Sequence, residues 1–125
     1  MSYRRWTPPV AWAAIILTIT SIPGSNLGAV APYVFPGADK LAHVGMYGVL
    51  GWLAARANGL GAGAAPGARG LAPVLMMVFA FAALDEWHQA FIPGRSADAL
   101  DWLADVVGAT TGALVFASRR TEAAS

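Results

Sequence analysis

Residues 81–89 read FAALDEWHQ. The apolar run from Leu71 ends at Leu84 against two adjacent acids, Asp85 and Glu86, with His88 and Gln89 just beyond. Carboxylates serve as general acids and bases, as ligands for hard metal ions and as acceptors for buried donors. Other stretches carry residues of the same kind. Asp39, His43 and Tyr47 are four apart, with Lys40 beside the first; Asp98, Asp101 and Asp105 follow a three-four rhythm that continues into Gly108 and Gly112. Asp85 and Gln89 are also four apart, and Arg95 closes the turn IPGR. Spacings of three and four stack side chains on one helix face.

Two kinds of chemistry fit these residues. In one, His43 or Glu86 is a general base and Arg95 binds an anionic group. A divalent cation held by Asp85, Glu86, Asp101 and His43 would suit that chemistry, oxygen-rich ligation favouring Mg, Mn or Ca over Zn. In the other, Lys40 and Arg95 hold a phosphate or an acyl-bearing ligand and no bond is broken. The chain has no cysteine, which excludes disulfides, thiolate metal sites and cysteine nucleophiles. It also has no HExxH, no phosphate loop and no familiar nucleophile motif, so the sequence leaves open whether it is an enzyme.

The elements that must position these groups follow from composition. Of 125 residues, 57% are hydrophobic and 12% charged, against roughly 25% charged in a soluble domain; mean hydropathy is +0.54. Segments apolar nearly all round have no water-facing side, so the chain reads as an integral membrane protein. A net charge of +1, with no basic stripe, gives no reason to expect nucleic acid. Breaks at SIPG, at NGLGAGAAPGARG and at IPGR divide one domain, residues 1–125, into helices expected at about 6–22, 39–57, 71–91 and 98–118. The fold class is therefore all-α, a four-helix membrane bundle of short spans. Arg4 and Arg5 before the first apolar segment would also suit a cleaved signal peptide, but SIPGSNLGA is a weak cleavage site and a retained anchor is favoured.

Short cytoplasmic loops collect Lys and Arg. With both termini inside, Arg4, Arg5, Arg56, Arg69, Arg119 and Arg120 are cytoplasmic and Lys40 and Arg95 outside. On the same map Asp39, Asp85, Glu86, Asp98, Asp101 and Asp105 all fall at the outer ends of helices two, three and four, with His43 and His88. Asp85 and Glu86 lie at a helix C-terminus, where the dipole is unfavourable to them, and need a counter-charge. Gly108 and Gly112 form a GxxxG pattern that would let a neighbouring helix approach and hold the acidic stripe inside the bundle. Ionisable groups this close to hydrocarbon are costly and usually functional.

DKLAHVGMYGVLGWL (Asp39 to Leu53) and DEWHQAFIPGRSADALDWLADVVGATTG (Asp85 to Gly112) together resemble the VanZ-like family of small bacterial membrane proteins. The family pattern of Asp-Lys, His and Tyr is matched by Asp39, Lys40, His43 and Tyr47. Its Asp-Glu pair and Gln are matched by Asp85, Glu86 and Gln89, its Pro-Gly-Arg turn by Pro93, Gly94 and Arg95, and its fourth helix by Asp101, Asp105, Gly108 and Gly112. Asp105 departs from the pattern, which commonly has Asn there, and His88 occupies a variable position. The resemblance implies a bacterial cytoplasmic membrane protein, multi-pass, whose namesake is linked to resistance against teicoplanin, a glycopeptide carrying a fatty acyl chain. It implies a membrane lipid or an acylated ligand as partner and no settled mechanism.

Plainer roles stand beside these. Asp39 is placed to cap helix two, and Asp98 with Asp101 to cap helix four. Lys40 and Arg95 could snorkel to lipid phosphate, Tyr47 could bond within the bundle, and Trp6, Trp52, Trp87 and Trp102 suit an aromatic belt. A proton or ion pathway is disfavoured, because the inner halves of the helices carry no continuing polar residues. The sequence thus expects His43, Asp85, Glu86 and Asp101 as the reactive set, and Asp39, Lys40, Tyr47, Gln89, Arg95 and Asp105 as ligand-binding.

Overall fold

In the computed structural model the described residues are 3–26, 35, 37–59 and 68–125. The connection expected before Leu71 lies largely outside them, at 60–67, as does the Arg69 side chain. The described chain is all-helical, with no strand: α1 (Thr7–Thr20), α2 (Ala38–Ala57), α3 (Ala68–Gln89) and α4 (Ala99–Ala124), with short 3-10 turns at Tyr3–Arg5 and Gly24–Asn26. Pro8 and Pro9 occupy the first turn of α1, where a missing N–H costs nothing. The polar RRTEAA segment, expected beyond the last helix, continues α4 to Ala124; Ala, Arg and Glu are good helix formers and neither Gly nor Pro interrupts them.

Among the described residues two stretches are long and apolar enough to cross a membrane, Gly70–Gln89 and Ala99–Ala123. α1 has 14 residues, about 21 Å of rise against roughly 30 Å of hydrocarbon. α2 has length but carries Asp39, Lys40, His43 and Arg56, and it buries His43 and Tyr47 against its neighbours. The outer surface is apolar: Val10, Ile15, Met76, Leu84, Leu103 and Val107 are all exposed. Such a surface is expected of a bundle solvated by lipid.

The interior is built of small residues. Ala54, Ala55, Ala82, Ala109 and Ala113 are fully buried, and the closest interface joins α2 to α4. A Cβ on Gly112 would strike the carbonyl of Gly48, one on Gly108 the carbonyl of Val44, and one on Gly51 the carbonyl of Ala109. The backbones meet because these positions lack side chains. This approach carries the N-terminal turns of both helices, with their acids, to the same place.

The turn between α3 and α4 is fastened to the end of α1. The Gly24 N–H donates to the Pro93 carbonyl at 2.9 Å, and Arg95 Nε donates to the Ile22 carbonyl at 3.0 Å. Gly94 holds φ +74° and lies against Gly24, its would-be Cβ 3.1 Å from the Gly24 Cα. A side chain at either position would part the two turns.

Candidate functional site

Three hydrogen-bond groups occupy the end of the bundle where α2 and α4 begin and α3 ends. The first centres on Asp85, fully buried. Thr20 Oγ1 donates to its Oδ1 at 2.7 Å and Tyr47 OH to its Oδ2 at 3.0 Å. Both carboxylate oxygens are thus held by hydroxyls from α1 and α2, and this acid at the end of α3 ties three helices together. Thr20 is the residue that sequence reasoning missed. A threonine inside an apolar helix ordinarily returns its hydroxyl to its own backbone, and the Ile16 carbonyl is indeed within 3.0 Å; only the tertiary position of Asp85 reveals its second partner.

The second group centres on Glu86, also buried. Gln89 Nε2, one turn on, donates to Oε1 at 3.2 Å, and the backbone N–H of Asp98 donates to Oε2 at 3.0 Å. Asp98 is the N-cap of α4, its own Oδ1 accepting from the Leu100 N–H at 2.8 Å. In a capping box the residue at the third helical position returns to the cap N–H. Here Glu86 of α3 takes that N–H, which frees Asp101 for other partners. Asp98 lies outside the spanning segments, and its carboxyl is held below the ordinary carboxylate value, first by the Leu100 N–H and next by Lys40.

The third group joins α2 to α4. His43 Nδ1 lies 2.7 Å from Asp105 Oδ1, and its Nε2 is 3.9 Å from Asp101 Oδ2. An ionised Asp105 accepts from Nδ1–H, which leaves the ring's lone pair on Nε2. Asp105 Oδ2 is buried without a partner among the described residues. Above this pair Lys40 Nζ reaches Asp101, Asp98 at 3.0 Å and Asp39 at 3.1 Å. Three N–H donors meet three carboxylates, so the ammonium is committed within the protein.

Several expected roles change as a result. Asp39 does not cap α2: the cap position is Gly37, at φ 86° and without a side-chain bond, and Asp39 faces Lys40 instead. The wider set of Asp39, Lys40, Tyr47, Gln89, Asp101 and Asp105 is drawn into the three groups with His43, Asp85 and Glu86. Arg95 is not. It binds the Ile22 carbonyl and pairs with no carboxylate among the described residues. His88 stands apart as well, its Nδ1 buried and without a partner among the described residues.

His43, Glu86 and Asp105 each offer a ligand atom, all within 4.8 Å of one another. That separation suits three ligands around one cation bound at about 2.0–2.6 Å. Of the four residues first suggested for a metal, Asp85 is held by Thr20 and Tyr47 and Asp101 by Lys40, so Asp105 takes their place. The unpartnered Oδ2 of Asp105 is the feature that a cation would explain.

A protein-family model described as VanZ/LLP1 matches residues 4–120, nearly the whole chain. No curated protein and no solved structure matches it.

Proposed function

The chain belongs to the VanZ/LLP1 family, and from that premise we propose that its polar end faces away from the cytoplasm and binds the anionic headgroup of an envelope lipid or of an acylated, glycopeptide-type ligand. Through that binding it contributes to envelope homeostasis or to teicoplanin resistance. The observation that carries this reading is the burial of Thr20, His43, Asp85, Glu86, Gln89 and Asp105 at one end of a bundle whose remaining buried interior is apolar. Polar groups placed so near hydrocarbon are costly, and registry alone needs fewer of them. The distribution of basic residues supports the orientation.

Within this reading the cation that meets the ligand is Arg95 rather than Lys40. Lys40 is already directed at three carboxylates, whereas Arg95, among the described residues, gives only its Nε to Ile22. Its two Nη groups remain to grip a phosphate or carboxylate from the side of the turn. The test is to reconstitute the chain in nanodiscs and titrate anionic envelope lipids and teicoplanin. Arg95→Ala should lose about tenfold in affinity; equal binding by wild type and variant would refute the proposal.

A second reading, hydrolysis or transfer on an envelope lipid, is favoured by the His43, Glu86 and Asp105 donor set. A divalent cation there would polarise an anionic ligand as a Lewis acid. His43, oriented through Nδ1 by Asp105, would give its Nε2 lone pair to that cation; where no cation is held, the same lone pair would serve as the base. Glu86→Gln separates the two readings: turnover is lost and lipid binding kept if a bond is broken.

A further inference from the structure

The opposite end of the bundle holds a cavity of about 400 Å³ lined by Arg4, Arg5, Arg56 and Arg120 over an apolar floor that includes Leu53 and Phe116. Pockets of roughly 300–1,000 Å³ are the size that small ligands occupy. The four arginines come from three parts of the chain: the turn before α1, the end of α2 and the end of α4. No carboxylate among the described residues lies within ion-pair distance of any of them. Two of the guanidinium groups are already positioned, Arg56 over the Trp52 ring at 5.9 Å and Arg120 over the Phe116 ring at 5.6 Å. Those rings in turn meet edge to face at 5.5 Å. Stacking fixes the plane of a guanidinium while leaving its N–H donors free.

Charge bias at a membrane surface explains why arginines are found at this end, but not why four of them surround one concavity with no acid. We propose that this cavity is a second binding site, for a phosphate-bearing ligand whose anionic group is gripped by the arginines and whose apolar part lies on Leu53 and Phe116. Planar N–H forks match phosphate oxygens bidentately, and basic pockets at helix ends hold anionic headgroups. The same chemistry arises from a phospholipid headgroup or from a free phosphate compound. The site is independent of the polar end described above.

The test is native mass spectrometry of the detergent-solubilised chain with phosphatidic acid or phosphatidylcholine, beside calorimetric titration with inorganic phosphate. Arg56→Gln and Arg120→Gln should each lower binding of the phosphate probe about tenfold. Arg119→Gln removes the same charge from a neighbouring exposed position that does not line the cavity, and should bind as wild type. Retention of phosphatidic acid over phosphatidylcholine without phosphate binding identifies a lipid source; phosphate binding with the same variant pattern identifies a soluble one. The proposal is overturned if neither probe binds, if the two lipids are retained alike and phosphate does not bind, or if Arg119→Gln weakens binding as much as Arg56→Gln, which would mean diffuse surface charge. Thermal unfolding of each variant confirms that a loss is not misfolding.

Discussion

The Nδ1 atom of His43 lies 2.7 Å from Oδ1 of Asp105, across the interface where glycines bring α2 and α4 into backbone contact. The pair leaves one oxygen of Asp105 buried and without a partner among the described residues, with a Glu86 oxygen close by. Asp105→Asn keeps an acceptor for His43 and removes the charge. The variant should therefore fold as wild type yet bind Mn²⁺ at least about tenfold more weakly in an electron paramagnetic resonance titration, as should His43→Ala. Asp39→Asn, exposed and facing Lys40, should leave the titration unchanged. Identical Mn²⁺ binding by Asp105→Asn and wild type would remove the metal-assisted reading.

Glu86 links the end of α3 to the start of α4 by accepting the Asp98 N–H. Gln at this position retains that acceptor, and Gln89 can turn its amide to meet the new NH₂. Glu86→Gln should thus unfold near the wild-type temperature, whereas Glu86→Leu, which strands a backbone donor and the Gln89 amide, should lose about 1–3 kcal/mol. Thermal unfolding in one detergent compares them; a Leu variant as stable as the Gln variant would show that the link carries no stability.

Gly112→Ala pushes a methyl into the Gly48 carbonyl, while Gly45→Ala meets nothing within 4 Å. Overpacking of a rigid backbone contact costs about 1–3 kcal/mol, so the first should be destabilised and the second should not. Because the same contact aligns His43 with Asp105, Gly112→Ala should also weaken ligand binding at the polar end. Equal melting temperatures for the two alanine variants would contradict the packing described.

Asp98 caps α4 with a carboxyl held low by the Leu100 N–H and Lys40. A depressed folded value means that its contribution is present above the unfolded value, about 3.9, and is lost as pH falls through the folded value. Asp98→Ala should melt below wild type at neutral pH, and the gap should narrow under acid. Asp98→Asn, which keeps a capping oxygen, should lie between them at pH 7. A gap that persists unchanged into strong acid would place the effect elsewhere than the carboxylate.

Much of this arrangement was legible in the residues. The apolar runs and the SIPG and IPGR breaks mark the helices, and the spacings of Asp39, His43 and Tyr47 and of Asp101, Asp105, Gly108 and Gly112 mark the faces that meet. Periodicity gives a face but not its partner. That Lys40 would be consumed by three carboxylates depends on how close α2 and α4 come, which rests on Gly48 and Gly51 opposite the GxxxG pattern. Thr20 and Arg95 find their partners 65 and 73 residues away, through the contact between Gly24 and Gly94. Local propensity does not report a contact of that range.

The proposed function requires the polar cluster to face the outside of the cell, where it would meet an envelope lipid or an acylated antibiotic. The absence of native cysteine makes the direct test clean: Ala97→Cys, an exposed position beside the Asp98 cap, is treated in intact cells with a membrane-impermeant thiol reagent, with Ser125→Cys as the control for the arginine-rich end. Labelling of Ala97→Cys and protection of Ser125→Cys is the expected result. Labelling of Ser125→Cys alone would put the cluster in the cytoplasm and contradict the proposed function.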